Sequence, residues 1–144
     1  MAKVHRSALV MHSANEMFDV VSDVAAYTQF LPWCAGSEIV EETDEGHVAC
    51  LVIQKGKFRH TFTTLNRITE NSGIQIELID GPFKHLRGGW AFVPISDKAS
   101  KVVLDLDFDI SGRIGTVVLR GVVKKAADTM VDAFCKRANE LYGK

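Results

Sequence analysis

Apolar residues recur at three- and four-residue intervals over the last thirty or so positions, from about Arg113 to Tyr142. They are Leu119, Val122, Val123, Ala126, Ala127, Met130, Phe134, Ala138 and Leu141. That spacing predicts one face of a long α-helix. Arg120, Lys124, Lys125, Asp128, Asp132, Lys136, Arg137 and Glu140 fill the opposite face, and Gly143 supplies a stop signal. At 1.5 Å per residue the helix would run about 40 Å, the width of a small domain.

The rest of the chain is patterned mostly as strands. Residues 3–11, with Val4, Leu9, Val10 and Met11, predict a first strand. Ser13 and Glu16 then spell a capping box, followed by the apolar stripe Met17, Phe18, Val20, Val21 and Val24 of a short helix. Tyr27, Phe30 and Leu31 continue into a second helical turn that Pro32 ends. Turn signals then come every eight to twelve residues and separate strands near 37–43, 47–55, 58–69, 74–80, 85–95 and 101–110. In the last strand Leu104, Leu106, Phe108 and Ile110 alternate with Asp105, Asp107 and Asp109, so one face is core and the other meets water. The same parity places Phe58, His60, Phe62 and Thr64 on one face, and Leu86, Gly88, Trp90 and Phe92 on another.

Each element has a single apolar face, so the expected architecture is α+β. A curved antiparallel sheet of about seven strands would wrap around the C-terminal helix, with two short helices after the first strand. Gly88 and Gly89 would let the sheet bend, and a bent sheet can leave an unfilled apolar space against the helix. The 144 residues suit one domain, 1–144, with no linker-like stretch.

Composition changes this picture little. Hydrophobic content of 47% with 24% charged residues is ordinary for a globular protein, and a net charge of −1 gives no global pull toward nucleic acid or anionic membrane. Local charge is uneven. Residues 38–45 carry five acids and no base, and residues 113–144 carry seven bases against three acids. Cys34, Cys50 and Cys135 are odd in number without C-x-x-C spacing, which predicts reduced thiols in a cytoplasmic compartment. No signal core, transit segment or membrane-length apolar run is present, so a cytoplasmic protein is expected, at most peripheral to the inner membrane. The expected state is a monomer.

Three stretches carry a resemblance. They are Asp23-Val24-Ala25-Ala26-Tyr27 through Phe30-Leu31-Pro32-Trp33-Cys34; Gly81-Pro82-Phe83-Lys84-His85-Leu86 with Gly89-Trp90-Ala91-Phe92; and Ala133-Phe134-Cys135-Lys136-Arg137-Ala138 with Leu141-Tyr142-Gly143. In this order, across essentially the whole chain, they resemble the helix-grip fold of the START-like (polyketide cyclase/lipid transport) superfamily. The closer likeness is to its coenzyme Q-binding branch, which includes the RatA group of bacterial ribosome association toxins. The resemblance implies a cavity for a hydrophobic ligand, with ubiquinone or a similar isoprenoid quinone favoured. It also implies an alternative of another class, binding to the large ribosomal subunit that blocks subunit association. The basic face of the last helix with Lys55, Lys57, Arg59 and Arg67 would serve the alternative, although aromatic–basic alternation of the kind that stacks bases is missing.

An apolar ligand needs a dry space of roughly 300–1,000 Å³ and a few polar groups to orient its head. The candidate lining is Phe18, Tyr27, Phe30, Leu31 and Trp33; Phe58, Phe62, Phe83, Leu86, Trp90, Phe92, Leu106 and Phe108; and Val122, Ala126 and Met130. For any one of these the competing reading is ordinary core packing. Phe30 to Trp33 would form a portal lip able to touch a membrane. His60, with Tyr27 or Thr64, is the candidate donor to a quinone carbonyl; the competing reading is a histidine satisfied by its neighbours. Asp105, Asp107 and Asp109 stand about 6.5–7 Å apart, too wide for compact chelation, and read as a solvated face. Cys34 has no evident histidine partner, and Ser13 serves as a cap rather than a nucleophile. A non-catalytic protein that requires no cofactor is expected, with the lipid as its ligand.

Overall fold

The computed structural model describes residues 2–69, 72–81, 83–110 and 116–143, with the side chains of residues 2, 58 and 116–119 outside that description. The expected turn at Asn71, the proline of the Gly81–Leu86 motif, the helix start at Arg113 and the side chains of Leu119 and Phe58 therefore lie outside the described residues.

The chain forms β1 (Ala2–Val10), α1 (Ala14–Ser22), a 3₁₀ helix (Val24–Gln29), β2 (Cys34–Glu42), β3 (Gly46–Lys55), β4 (Phe58–Thr69), β5 (Gly73–Asp80), β6 (Phe83–Ser96), β7 (Ala99–Ile110) and α2 (Thr116–Tyr142). The seven strands make one antiparallel sheet in the order β1-β7-β6-β5-β4-β3-β2. Because β1 and β2 occupy opposite edges, the chain between them must cross the whole sheet. That crossing is made by α1 and the 3₁₀ helix.

The capping box forms as the sequence spells it. The Glu16 amide donates to Ser13 Oγ and the Ser13 amide donates to Glu16 Oε1, each at 3.1 Å. Ser100, fully buried in β7, donates its hydroxyl to the His12 carbonyl at 2.9 Å and ties the entry of α1 to the sheet. In β7 every even position from Ser100 to Ile110 except Leu106 is buried, and Leu106 is half-buried. The aspartates opposite are not simply solvated. His5 bonds Asp105, His85 Nε2 lies 3.3 Å from Asp107, and Arg120 lies 3.4 Å from Asp109. Strand β2 begins at Cys34, earlier than its turn signals suggest, because bulges at Cys34/Gly36 and Ile39/Glu41 let the chain join β3 before the alternation becomes regular.

Bending of the sheet has a local cause at Gly88, whose φ of 147° is open to glycine alone. A Cβ there would stand 2.0 Å from the Asp105 carbonyl oxygen on β7. Helix α2 makes its close approaches to β1, β7 and α1. The core is correspondingly split. One buried cluster gathers α1, the 3₁₀ helix, Trp90, Phe92 and the Phe134 half of α2; the other gathers Val4, Ile53, Phe83, Leu86, Phe108 and the Val123 half. Trp33 and Leu106 are packed against both clusters.

Candidate functional site

Aromatic rings cluster at each end of the space between sheet and helix. Phe134 takes three rings edge-on, Tyr27 and Trp90 at 5.2 Å and Phe30 at 5.4 Å between centroids. At the other end Phe83 meets Phe62 at 5.6 Å and Phe108 at 6.0 Å. Such edge-to-face pairs match the positive ring edge to the negative face, and each adds about 0.5–1.5 kcal/mol beyond area burial. Between these clusters lies a hollow of about 90 Å³.

Of the expected lining residues, Tyr27, Trp33, Phe62, Phe83, Leu86, Trp90, Leu106, Ala126 and Met130 face this hollow. Val122 lines an outer vestibule instead, an open recess of about 690 Å³ bounded by Pro32, Trp33, Ala35, the Gln54–Gly56 turn, Lys125 and Thr129. Trp33 and Ala126 line both spaces. The hollow alone is smaller than the expected 300–1,000 Å³, because large side chains from both clusters lean into it. Only with the vestibule does the space reach that range.

Several expected liners do not line it. Phe18 and Phe92 pack edge-on to each other at 5.9 Å, Phe108 is wholly buried against Phe83, and Leu31 is buried in the first cluster. Phe30 lies under the Arg137 guanidinium at 5.2 Å and against Phe134. Within the expected lip Leu31 is buried, Phe30 and Trp33 are half-buried and Pro32 is exposed. His60 shares the face of Phe62 but sits opposite Ile53 toward the far end of β4, half-buried and outside the hollow. Strand parity fixes the face of a residue, and depth along the strand decides what it reaches. Nor is the Tyr27 hydroxyl available, since it donates to the Val21 carbonyl, and burial pushes the phenol pKa far up.

The polar groups that do reach the hollow are Ser22, His47, Thr64 and Asn66. Thr64 Oγ1 donates to Asn66 Oδ1 at 2.9 Å, and Asn66 Nδ2 lies 3.3 Å from His47 Nε2. An amide nitrogen only donates, so Nε2 accepts, and the ring proton of His47 sits on Nδ1. Desolvation holds the His47 pKa below its usual 6.5, which keeps the ring neutral. Ser22 Oγ and Trp33 Nε1 are buried without a hydrogen-bond partner among the described residues. None of the described residues bounding the hollow is a lysine, arginine, aspartate or glutamate. The sequence signal for His47 was its alternation with Ala49, Leu51 and Ile53. Val48, Cys50 and Val52 between them are also apolar, so β3 does not announce which face is inside.

The thiols of Cys34 and Cys135 are poor nucleophiles. Burial raises the Cys34 pKa, and burial with the nearby Asp132 carboxylate pushes Cys135 up to about 11. Among the described residues no helix is long and apolar enough to cross a membrane.

Residues 10–135 match the model of the family described as polyketide cyclase / dehydrase and lipid transport. The chain is 43% identical to the ribosome association toxin RatA of Pseudomonas aeruginosa over 140 residues, 97% of each chain. It is 27% identical to the mitochondrial coenzyme Q-binding protein COQ10 of Drosophila melanogaster, covering 96% of this chain and 59% of that one. Among solved structures, the Zhui aromatase/cyclase of a Streptomyces species superposes with a TM-score of 0.85 at 20% identity, over 96% of this chain and 94% of that one, a likeness of fold alone. A sheet curled about a terminal helix, the hollow between them and these matches together place the chain in the START-like polyketide cyclase / dehydrase and lipid transport family.

Proposed function

We propose that the protein binds a hydrophobic small molecule between sheet and helix, as a non-catalytic carrier or chaperone. The observation that carries this reading is the split core, in which two aromatic clusters flank an apolar space with no ionised side chain among the described residues of its wall. Desolvation of the ligand supplies the affinity, about 25 cal/mol for each Å² of apolar surface removed from water. Trp33 and Ala126 form the passage from the vestibule. An isoprenoid quinone, ubiquinone among them, is the favoured ligand, supported by the relative named for coenzyme Q binding, and a role in respiration at the periphery of the inner membrane follows from that choice. Organic-solvent extraction of the purified protein with mass spectrometry tests it. A stoichiometric quinone or other isoprenoid lipid is the expected result, and an empty extract from protein that retains its fold contradicts it.

A second reading is favoured by the relatives named ribosome association toxin, which match over nearly their whole length. In it the outer face, with exposed Lys124, Lys125 and Lys136 on α2, would dock on the ribosome, with the large subunit as the expected partner. Part of that charge is already matched, since Lys124 pairs with Asp128 at 3.1 Å and Arg137 with Glu140 at 3.6 Å. Co-sedimentation with separated ribosomal subunits across a salt series decides it, because phosphate contacts weaken steeply with salt.

A further inference from the structure

Resting on the carrier reading, the donor and acceptor arrangement inside the hollow narrows what the ligand is. In the string Thr64–Asn66–His47 the amide oxygen of Asn66 accepts from Thr64, and His47 Nε2 accepts from Asn66. Asn66 keeps a second amide N–H and His47 its Nδ1–H as donors, against one lone pair left on Asn66 Oδ1. The orphaned Trp33 Nε1–H is donor-only too, and the orphaned Ser22 hydroxyl is also able to donate. Buried donors without partners are costly, so a ligand that supplies acceptors to them gains affinity over one that does not. Among the described residues of the wall there is no cation to offset the desolvation of an anion and no carboxylate to offset that of an ammonium, so a neutral head group is favoured.

We propose that Asn66 and His47 form a head-group subsite that reads a neutral carbonyl oxygen on an apolar body, with Thr64 as the positioning residue that fixes the Asn66 amide. The carbonyl end of the ligand lies inward against β3 and β4, and its apolar tail runs past Trp33 and Ala126 toward the vestibule. The depressed pKa of His47 is consistent with a neutral donor at that place.

The test uses two probes that share a phenyl ring and an eight-carbon tail and differ by one carbonyl, octanophenone and octylbenzene, titrated calorimetrically into the full chain. Wild-type protein is expected to bind octanophenone about tenfold more tightly, the effect of one well-made hydrogen bond to a buried donor. Asn66→Leu should erase that preference, read as the ratio of the two affinities falling to about one. Thr64→Val, nearly isosteric, should weaken octanophenone selectively, which a merely structural role would not do. If Asn66→Leu fails to fold by circular dichroism, Thr64→Val and His47→Phe carry the comparison. Equal affinities in wild type, or a preference that survives all three substitutions, overturn the subsite. Saturable binding of octylbenzene with no carbonyl preference leaves the carrier reading standing. Binding of neither probe overturns both.

Discussion

Phe134 is wholly buried and touches Tyr27, Phe30 and Trp90, so its truncation removes three edge-to-face contacts as well as buried area. Phe134→Ala should cost about 3–5 kcal/mol, read as a lower urea midpoint in equilibrium unfolding. Ser13→Ala removes one half of a capping box and should cost about 1 kcal/mol by the same assay. His47 gives a pH dependence of definite sign. Its folded pKa lies below 6.5, so as pH falls through 6.5 the unfolded chain takes up a proton that the folded chain resists. Stability is therefore intact above that pH and declines below it. Thermal melts between about pH 7.5 and 5.5 should fall more steeply for wild type than for His47→Gln. At this scale the sequence was legible where one chemistry excluded others, as with Ser13 and Glu16. It was not legible for His47 against His60. Both are histidines in strands, and only the position of the hollow along β3 and β4 separates them.

At the level of elements, α2, α1 and β7 declare themselves because each has one apolar face and a regular period. Strand β3 does not, since both of its faces are at least half-buried, and β2 is blurred by two bulges. The split of the core was legible only as an expectation from Gly88 and Gly89, because no local pattern records where a helix fails to touch a sheet. Gly88→Ala should strain the β6–β7 pairing directly, since φ of 147° disfavours any Cβ and the Asp105 carbonyl occupies its place. A loss of several degrees in melting temperature is expected. The passage makes a different prediction. Ala126 bounds both hollow and vestibule, so Ala126→Phe should block entry. The variant should keep its far-ultraviolet dichroism and lose binding of octylbenzene by tenfold or more.

Across the whole molecule, the two proposed readings draw on different parts, one on the exterior and one on the interior. The sheet has a mixed-charge outer face, with Arg67 paired to Glu45 and Glu77 and the β7 aspartates matched by His5, His85 and Arg120. The described residues around the hollow are uncharged, with ring clusters at both ends. In the ribosome reading docking depends on the exposed lysines of α2, and in the carrier reading ligand binding depends on the interior, so Ala126→Phe should leave ribosome co-sedimentation unchanged if the two are separate. The most direct test of the hollow is a methyl-resolved NMR titration with octylbenzene. Shifts confined to Ile53, Ile74, Leu104, Leu106, Ala127 and Met130 are predicted, all of which bound the hollow. Shifts confined to the exposed methyls of Leu9, Met11, Val93 and Ile95 would contradict it and leave a protein that meets apolar molecules only on its outside.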